Sequence, residues 1–388
     1  MTRVLVNLLW LVPGVVGGSE ESTTDALRAL ADSPDAGDVE VHLAVLEQFA
    51  AAHPDLADRF ELHVLDQDGR DKRRRVLAEQ TWLPGVTRAV RADVVHHAGG
   101  VLPLRHPGRT VLTVHDLQPL DMPENFRAAK RTYIRLMAGR SARAADVVAV
   151  PSEFTRDRVV ELLGVPRSRV EVVPWWVAPP GSPGPDRSEG SPNASDPSAG
   201  PFPLPPWLGD DPFFLYPAIT YPHKRHLVLL DAFALTARRH PDLRLVLTGG
   251  ASSAEADVLA RIRRPDLDGR VLRTGRVPSG QLESLFAATA AVAVPSCYEG
   301  FGLPVLEAMV RGVPVVAAAA GSLPEVARPE DLVPADDVTA WSDAMEAVLA
   351  ESPAERSERV AAGRRRAGQF TPERTAAALL RSYRRAAG

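Results

Sequence analysis

At 388 residues, with 45% apolar and 24% charged side chains, the chain has the make-up of a globular protein long enough for two domains. A formal net charge of -4 gives no reason to expect a nucleic-acid partner. Cys297, the one cysteine, excludes an intrachain disulfide and points to a reducing, cytoplasmic setting. The opening apolar run at 4–12 is broken by Asn7 and lacks a cleavage-site pattern, and no uninterrupted apolar run reaches the roughly 18 residues of a membrane span. That run therefore reads as a first strand buried on both faces.

Strands are predicted over 3–9, 39–45, 60–65, 93–96, 110–114, 147–150 and 170–173, with helical patterns at 27–30, 126–138 and 156–163 among them. Gly17-Gly18-Ser19-Glu20 lies between the first strand and a helix around 23–30. It is neither the Gly-x-Gly-x-x-Gly fingerprint nor a phosphate-binding Walker loop, and taken alone it is a turn. Asp66-Gln-Asp68 sits in a Gly-Arg-Asp-Lys context that reads as a solvated turn. His96-His97 ends one strand without a third ligand to suggest a metal. His115-Asp116 ends another, where ligand-facing residues of parallel sheets collect. The stretch 127–143 carries Arg127, Lys130, Arg131, Arg135, Arg140 and Arg143. Its plain reading is a solvated helix face, and its alternative a basic edge for an anionic acceptor or the inner face of a membrane.

Residues 178–206 are dense in Pro, Gly, Ser and Asp, too polar to fold alone, and are expected to be a linker or mobile loop. A second strand series follows at 213–216, 243–247, 270–273, 290–294 and 313–317. The alternation implies two parallel-sheet α/β domains: 1–177, then a linker at 178–210, then 211–370. The last helix, at 372–387, has Ala376, Leu379, Leu380 and Tyr383 at helical spacing.

The second series contains Pro295-Ser-Cys-Tyr-Glu-Gly-Phe-Gly-Leu-Pro-Val-Leu-Glu-Ala-Met309. Two carboxylates, Glu299 and Glu307, flank a glycine-bearing turn into a helix whose first position suits Pro304. Gly300 and Gly302 allow close backbone approach, and a helix start attracts anions. This layout suits a ligand with hydroxyls at both ends and phosphate between, such as a nucleotide-sugar.

The segment resembles the Glu-x7-Glu signature of retaining glycosyltransferases with the GT-B fold, family four. Val150-Pro-Ser-Glu-Phe-Thr-Arg156, Phe214-Leu-Tyr-Pro-Ala218, Pro222-His-Lys224, Gly312-Val-Pro-Val-Val316 and Gly321-Ser-Leu-Pro-Glu325 stand in the family's order. The resemblance implies two Rossmann-like domains facing a cleft, with the final segment, 371–388, crossing back to the first domain. It implies that Glu299 contacts the transferred sugar, that Glu307 accepts from both ribose hydroxyls, and that the backbone at Gly300, Phe301, Gly302 and Leu303 holds sugar and phosphate. Lys224 would meet the diphosphate, His115 the sugar near the reacting centre, and Gly17-Gly18 the diphosphate and acceptor, with Asp116 orienting His115 or facing the acceptor. Neither a metal nor a cofactor is expected, since the nucleotide-sugar is the substrate. Many relatives carry a Gly-Arg pair where this chain has Ala218-Ile219, so a second diphosphate cation must come from elsewhere, with Arg225 and Arg276 as candidates. The implied activity is hexosyl transfer, GDP-mannose favoured over a UDP-sugar, to a glycan, lipid-linked saccharide or metabolite. The alternatives are a GT-B epimerase or hydrolase, and a non-catalytic nucleotide-sugar-binding partner.

Overall fold

The structure is a computed structural model that describes residues 1–125, 128–180, 204, 208 and 211–388, apart from the side chains of 128–130 and 133. Most of the expected linker, together with Arg127 and the side chain of Lys130, lies outside the described residues. The chain divides into two compact units, one built from Met1–Trp176 with Phe370–Gly388, the other reaching to Gln369.

The first unit holds β1 (Thr2–Asn7), β2 (Val39–Leu46), β3 (Glu61–Leu65), β4 (Val94–His97), β5 (Arg109–Thr113), β6 (Val147–Val150) and β7 (Val170–Val172). They form a parallel sheet in the order β3-β2-β1-β4-β5-β6-β7. The second unit holds β8 (Phe213–Pro217), β9 (Arg244–Thr248), β10 (Val271–Gly275), β11 (Ala291–Val294), β12 (Val315–Ala318) and β13 (Leu332–Val333), in the order β10-β9-β8-β11-β12-β13. Both are doubly wound α/β arrangements, as the alternation of apolar runs and helices predicts. Helices cover both faces, so central strands read as unbroken apolar runs: β6, β11 and β12 are buried at every residue.

Two strand ends depart from expectation for local reasons. β1 stops at Asn7 rather than at residue 9, because the Asn7 Oδ1 accepts from Leu9 N at 3.1 Å and turns the chain. β13, two residues long, carries too short a pattern to be predicted. The first helix starts at Gly18, earlier than around 23, and the helix at 126–138 is instead Ala128–Ala144.

The final helix, Pro372–Ala387, belongs to the first unit and packs on the helix Gly18–Ala31. Its stripe of Ala376, Leu379, Leu380 and Tyr383 is at most 4% exposed. The Tyr383 hydroxyl reaches His96 Nδ1 at 2.9 Å, which satisfies the one polar atom the stripe buries.

Candidate active site

In doubly wound sheets, ligands collect at the carboxyl ends of the strands where the strand order reverses. In the second unit that point lies between β8 and β11. The loop leaving β8 carries Lys224, and the loop leaving β11 carries Glu299. Their side chains meet there: Lys224 Nζ donates to Glu299 Oε1 at 2.6 Å, with the two side chains 17% and 11% exposed. The residues are 75 positions apart in sequence and are brought together by strand order alone.

Both loops are held from below. Tyr216, fully buried in β8, donates its hydroxyl to the Lys224 carbonyl at 2.9 Å and shares a 2.9 Å bond with Ser296 Oγ. Burial, then the Glu299 charge, raises the Tyr216 phenol well above its ordinary range, so it stays protonated. The loop after β8 is anchored again by Thr220, which donates to Glu255 Oε2 at 2.6 Å and accepts from Ser252 N at 2.8 Å. Arg273 completes that support through Glu255 and the Gly249 carbonyl. Tyr216→Phe removes a hydroxyl shared by two buried partners, and is expected to lower unfolding stability by about 1–3 kcal/mol, measurable by urea denaturation.

The Glu299 turn is clamped by Gly321-Ser322. Ser322 Oγ donates to the Glu299 carbonyl at 2.9 Å, and a Cβ on Gly321 (φ 60°) would stand 2.8 Å from Glu299 N. Downstream, Gly302 (φ 109°) caps the helix Leu303–Arg311, with no side chain capping it and Pro304 in its first turn. A Cβ there would meet Leu323 Cδ2 at 2.7 Å, so residue 302 must be glycine both for conformation and for space. First-turn N–H groups have no partner inside their own helix, and the dipole is positive at that end. The arrangement offers anion-binding backbone beside a carboxylate–ammonium pair. Glu307 lies one turn into this helix, half-buried. One turn on, Arg311 bonds Glu283 and lies over the Phe286 ring at 4.7 Å.

In the first unit, His115 follows β5 and sits between Trp10 and Trp175, at ring-centroid distances of 5.6 and 5.8 Å. Its Nε2 donates to the Ala98 carbonyl at 2.9 Å, and its Nδ1 is buried without a hydrogen-bond partner. Burial pushes its pKa down to about 4, so the ring is neutral and Nδ1 presents a lone pair. His115, His96, Thr113 and Trp175 line a cavity of about 40 Å³ with the first and last helices. The His115 ring donates to the Ala98 carbonyl, and the Asp116 carboxylate accepts from Gln118 N at 3.1 Å. Gly17 is the N-cap of the first helix and Gly18 its first residue. The adjacent Glu20 is turned inward, to Gly14 N at 2.9 Å and His53 Nε2 at 3.1 Å.

Residues 205–366 match the family model "Glycosyl transferases group 1", and residues 16–179 match "Glycosyltransferase Family 4". The O-antigen chain mannosyltransferase B of Escherichia coli is 30% identical over 301 residues, which cover 75% of this chain and 74% of that protein. The chain is a group 1, family 4 glycosyltransferase. A D-inositol 3-phosphate glycosyltransferase of Mycolicibacterium smegmatis is 34% identical over 62% of this chain and 53% of its own length. Sucrose-phosphate synthase from Thermosynechococcus elongatus superposes with a TM-score of 0.71 at 20% identity, covering 99% and 98% of the two chains. Anabaena HepE, solved with UDP and glucose, gives 0.68 at 19% over 98% of each. At such identities these structures speak for the fold, which is GT-B.

Within this glycosyltransferase the two candidate replacement cations part company. Arg225 takes a left-handed backbone (φ 51°), and its Nε lies 3.1 Å from Asp336 Oδ1. Arg276 instead lies along Gly250: a Cβ there would be 3.4 Å from its Nε and 3.9 Å from Ile219. Arg276 and Ile219, the position at which the resemblance leads one to expect an arginine, thus both border Gly250. Of the basic segment, Arg140 donates to the Leu102, Pro103 and Leu104 carbonyls and Arg143 to that of Leu163, so these two serve packing rather than a surface patch. No helix among the described residues is long and apolar enough to cross a membrane. Thr220, Glu255 and Arg273 support the site without any motif signal of their own, while Tyr216 and Ser322 fall inside the quoted motifs without a role read from them.

Proposed function

We propose that this glycosyltransferase is a retaining, metal-independent hexosyltransferase that moves a sugar from a nucleotide-diphosphate sugar to an acceptor hydroxyl. The observation that carries this reading is the Lys224–Glu299 pair at 2.6 Å on the turn that leads into the helix Leu303–Arg311, whose start has no side-chain cap. Without donor, the two charges neutralise each other. With donor, Lys224 and the helix N-terminus take the diphosphate, and Glu299 is released to accept from the sugar hydroxyls. Glu307, with two acceptor oxygens, suits the ribose diol. The bond from the anomeric carbon to the phosphate oxygen breaks as the bond to the acceptor oxygen forms on the same face. The acceptor proton passes to the departing phosphate oxygen, so configuration is kept without a protein nucleophile. Lys224 stabilises the charge that develops on that phosphate, while Arg276 holds the diphosphate equally before and during transfer. His115 and the Gly17-Gly18 helix start serve the sugar and acceptor side, and the single thiol suits a cytoplasmic enzyme.

GDP-mannose is the favoured donor, a choice supported by the mannosyltransferase among the relatives. Melting the protein against GDP-, UDP- and dTDP-sugars tests this, since a ligand bound by the native state alone at 100 times its Kd adds about 2.7 kcal/mol. The expected result is a rise with GDP-mannose; no rise with any nucleotide-sugar would overturn the reading. Arg276→Ala is expected to raise the donor KM about tenfold with kcat little changed, as loss of a charge-assisted contact made in both ground and transition states. Arg225→Ala should leave donor KM unaltered. Steady-state kinetics with varied donor separates the two.

A further inference from the structure

At the opposite end of the first sheet from His115, four polar side chains share one face of its edge. β2 and β3 pair in parallel with His42 opposite Glu61 and Ala44 opposite His63, and β3 is the edge strand. Residues two apart on a strand point the same way, so Glu40, His42, Glu61 and His63 form one cluster. His42 Nδ1 lies 3.4 Å from His63 Nε2 and 3.4 Å from Glu61 Oε2, and His63 Nε2 lies 3.9 Å from Glu61 Oε1. Three ligand atoms of two kinds converge on one point, all within 4.8 Å of one another.

Two of those spacings match a particular geometry. A tetrahedral ion with bonds of 2.0–2.2 Å has neighbouring ligand atoms about 3.3 to 3.6 Å apart, so the two 3.4 Å spacings fit and the 3.9 Å one from His63 to Glu61 must shorten on binding. Two imidazoles and a carboxylate are also the donor set that borderline ions such as Zn²⁺ prefer. The other nitrogen of His42 faces a carboxylate as well: Nε2 stands 3.4 Å from Glu40 Oε1, and Glu40 Oε2 is fixed by Arg3 Nε at 3.0 Å. His42 Nε2 makes no hydrogen bond in this arrangement; a bond donated from it to the anchored Glu40 carboxylate on metal binding would leave Nδ1 to coordinate. The ligands differ in exposure, His42 at 8%, His63 at 22% and Glu61 at 67%, so an ion can enter from solvent and keep a fourth, water-filled position. A sheet register holds the two histidines in place, unlike a chance surface cluster on loops.

We propose that His42, His63 and Glu61 form a divalent transition-metal site for which Zn²⁺ is the suited ion, with Glu40 positioning His42. The ion ties the edge strand β3 to β2, and none of its ligands is a residue assigned to sugar transfer.

The test uses the full chain, free of any affinity tag and stripped with chelator, titrated with Zn²⁺ at neutral pH by calorimetry and followed by melting temperature. The expected result is one equivalent bound with a higher melting point. Glu61→Gln and His63→Ala should each weaken binding at least tenfold, and Glu40→Gln by about 10- to 100-fold as an outer-shell change. His240→Ala, at a His–Glu pair elsewhere in the molecule, should leave binding unchanged. With Co²⁺ as probe, the visible absorption of a four-coordinate ion should appear in the native protein and vanish in His63→Ala. Glu61 is exposed, so Glu61→Gln should fold normally. Unchanged Zn²⁺ affinity in that variant, or no binding by the folded native protein, would overturn the site.

Discussion

Replacing Glu299 with Gln is expected to lower kcat/KM for sugar transfer by about 10²- to 10³-fold, the range lost when one preorganised electrostatic contact to a transition state is removed. Gln keeps the shape of the side chain and its place on the turn after β11, but as a neutral acceptor it cannot concentrate charge on the sugar hydroxyls. Because the native pair is mostly buried, at 17% and 11% exposure, the variant also leaves the Lys224 ammonium without a charged partner. A stability loss of about 1–3 kcal/mol is expected from that, too small to unfold a domain of this size. Circular dichroism and melting should therefore report a native fold in a protein that transfers sugar poorly. Glu307→Gln is the matched control: proposed to meet the ribose rather than the reacting sugar, it should act on donor KM more than on kcat.

Lys224→Ala is expected to cost a comparable 10²- to 10³-fold, mostly in kcat, because the lysine is assigned to charge that grows on the leaving diphosphate. The double variant, Lys224→Ala with Glu299→Gln, should lose much less than the product of the two single losses. Residues that contact one another and act in one step are coupled, so their effects do not add. A strictly multiplicative loss would mean that the two side chains act independently, and the pair would then be no more than a resting contact.

Much of the fold was legible because buried parallel strands have little compositional freedom. Val147–Val150 and Ala291–Val294 are apolar at every position, and any reading of runs and breaks finds them. The limits are equally physical. Asn7 ends β1 by a side-chain bond that a hydropathy pattern does not register, and β13 is too short to have a pattern. At the candidate site, motif resemblance picked out Lys224 and Glu299 one by one, while their pairing depends on β8 and β11 being neighbours, a property of strand order. Arg225 and Arg276 look equivalent as letters. They separate only in the structure, where Arg225, on a left-handed backbone, pairs with Asp336 and Arg276 borders Gly250. Tyr216 reads as one more apolar strand residue, yet its hydroxyl ties both site loops. His42, Glu61 and His63 are unremarkable singly and converge only through the register of β2 with β3.

The central claim is that the Lys224–Glu299 pair is the reacting site of nucleotide-sugar transfer. It is tested most directly by incubating native protein and Glu299→Gln, at equal folded concentration, with GDP-mannose and a panel of saccharide, lipid-linked and inositol-phosphate acceptors. Nucleoside diphosphate release is followed, together with the anomeric configuration of the product by NMR. The account predicts acceptor-dependent release by the native protein, a product with the donor's configuration, and a loss of at least a hundredfold in the variant. Equal release by both proteins, or a product of inverted configuration, would contradict it.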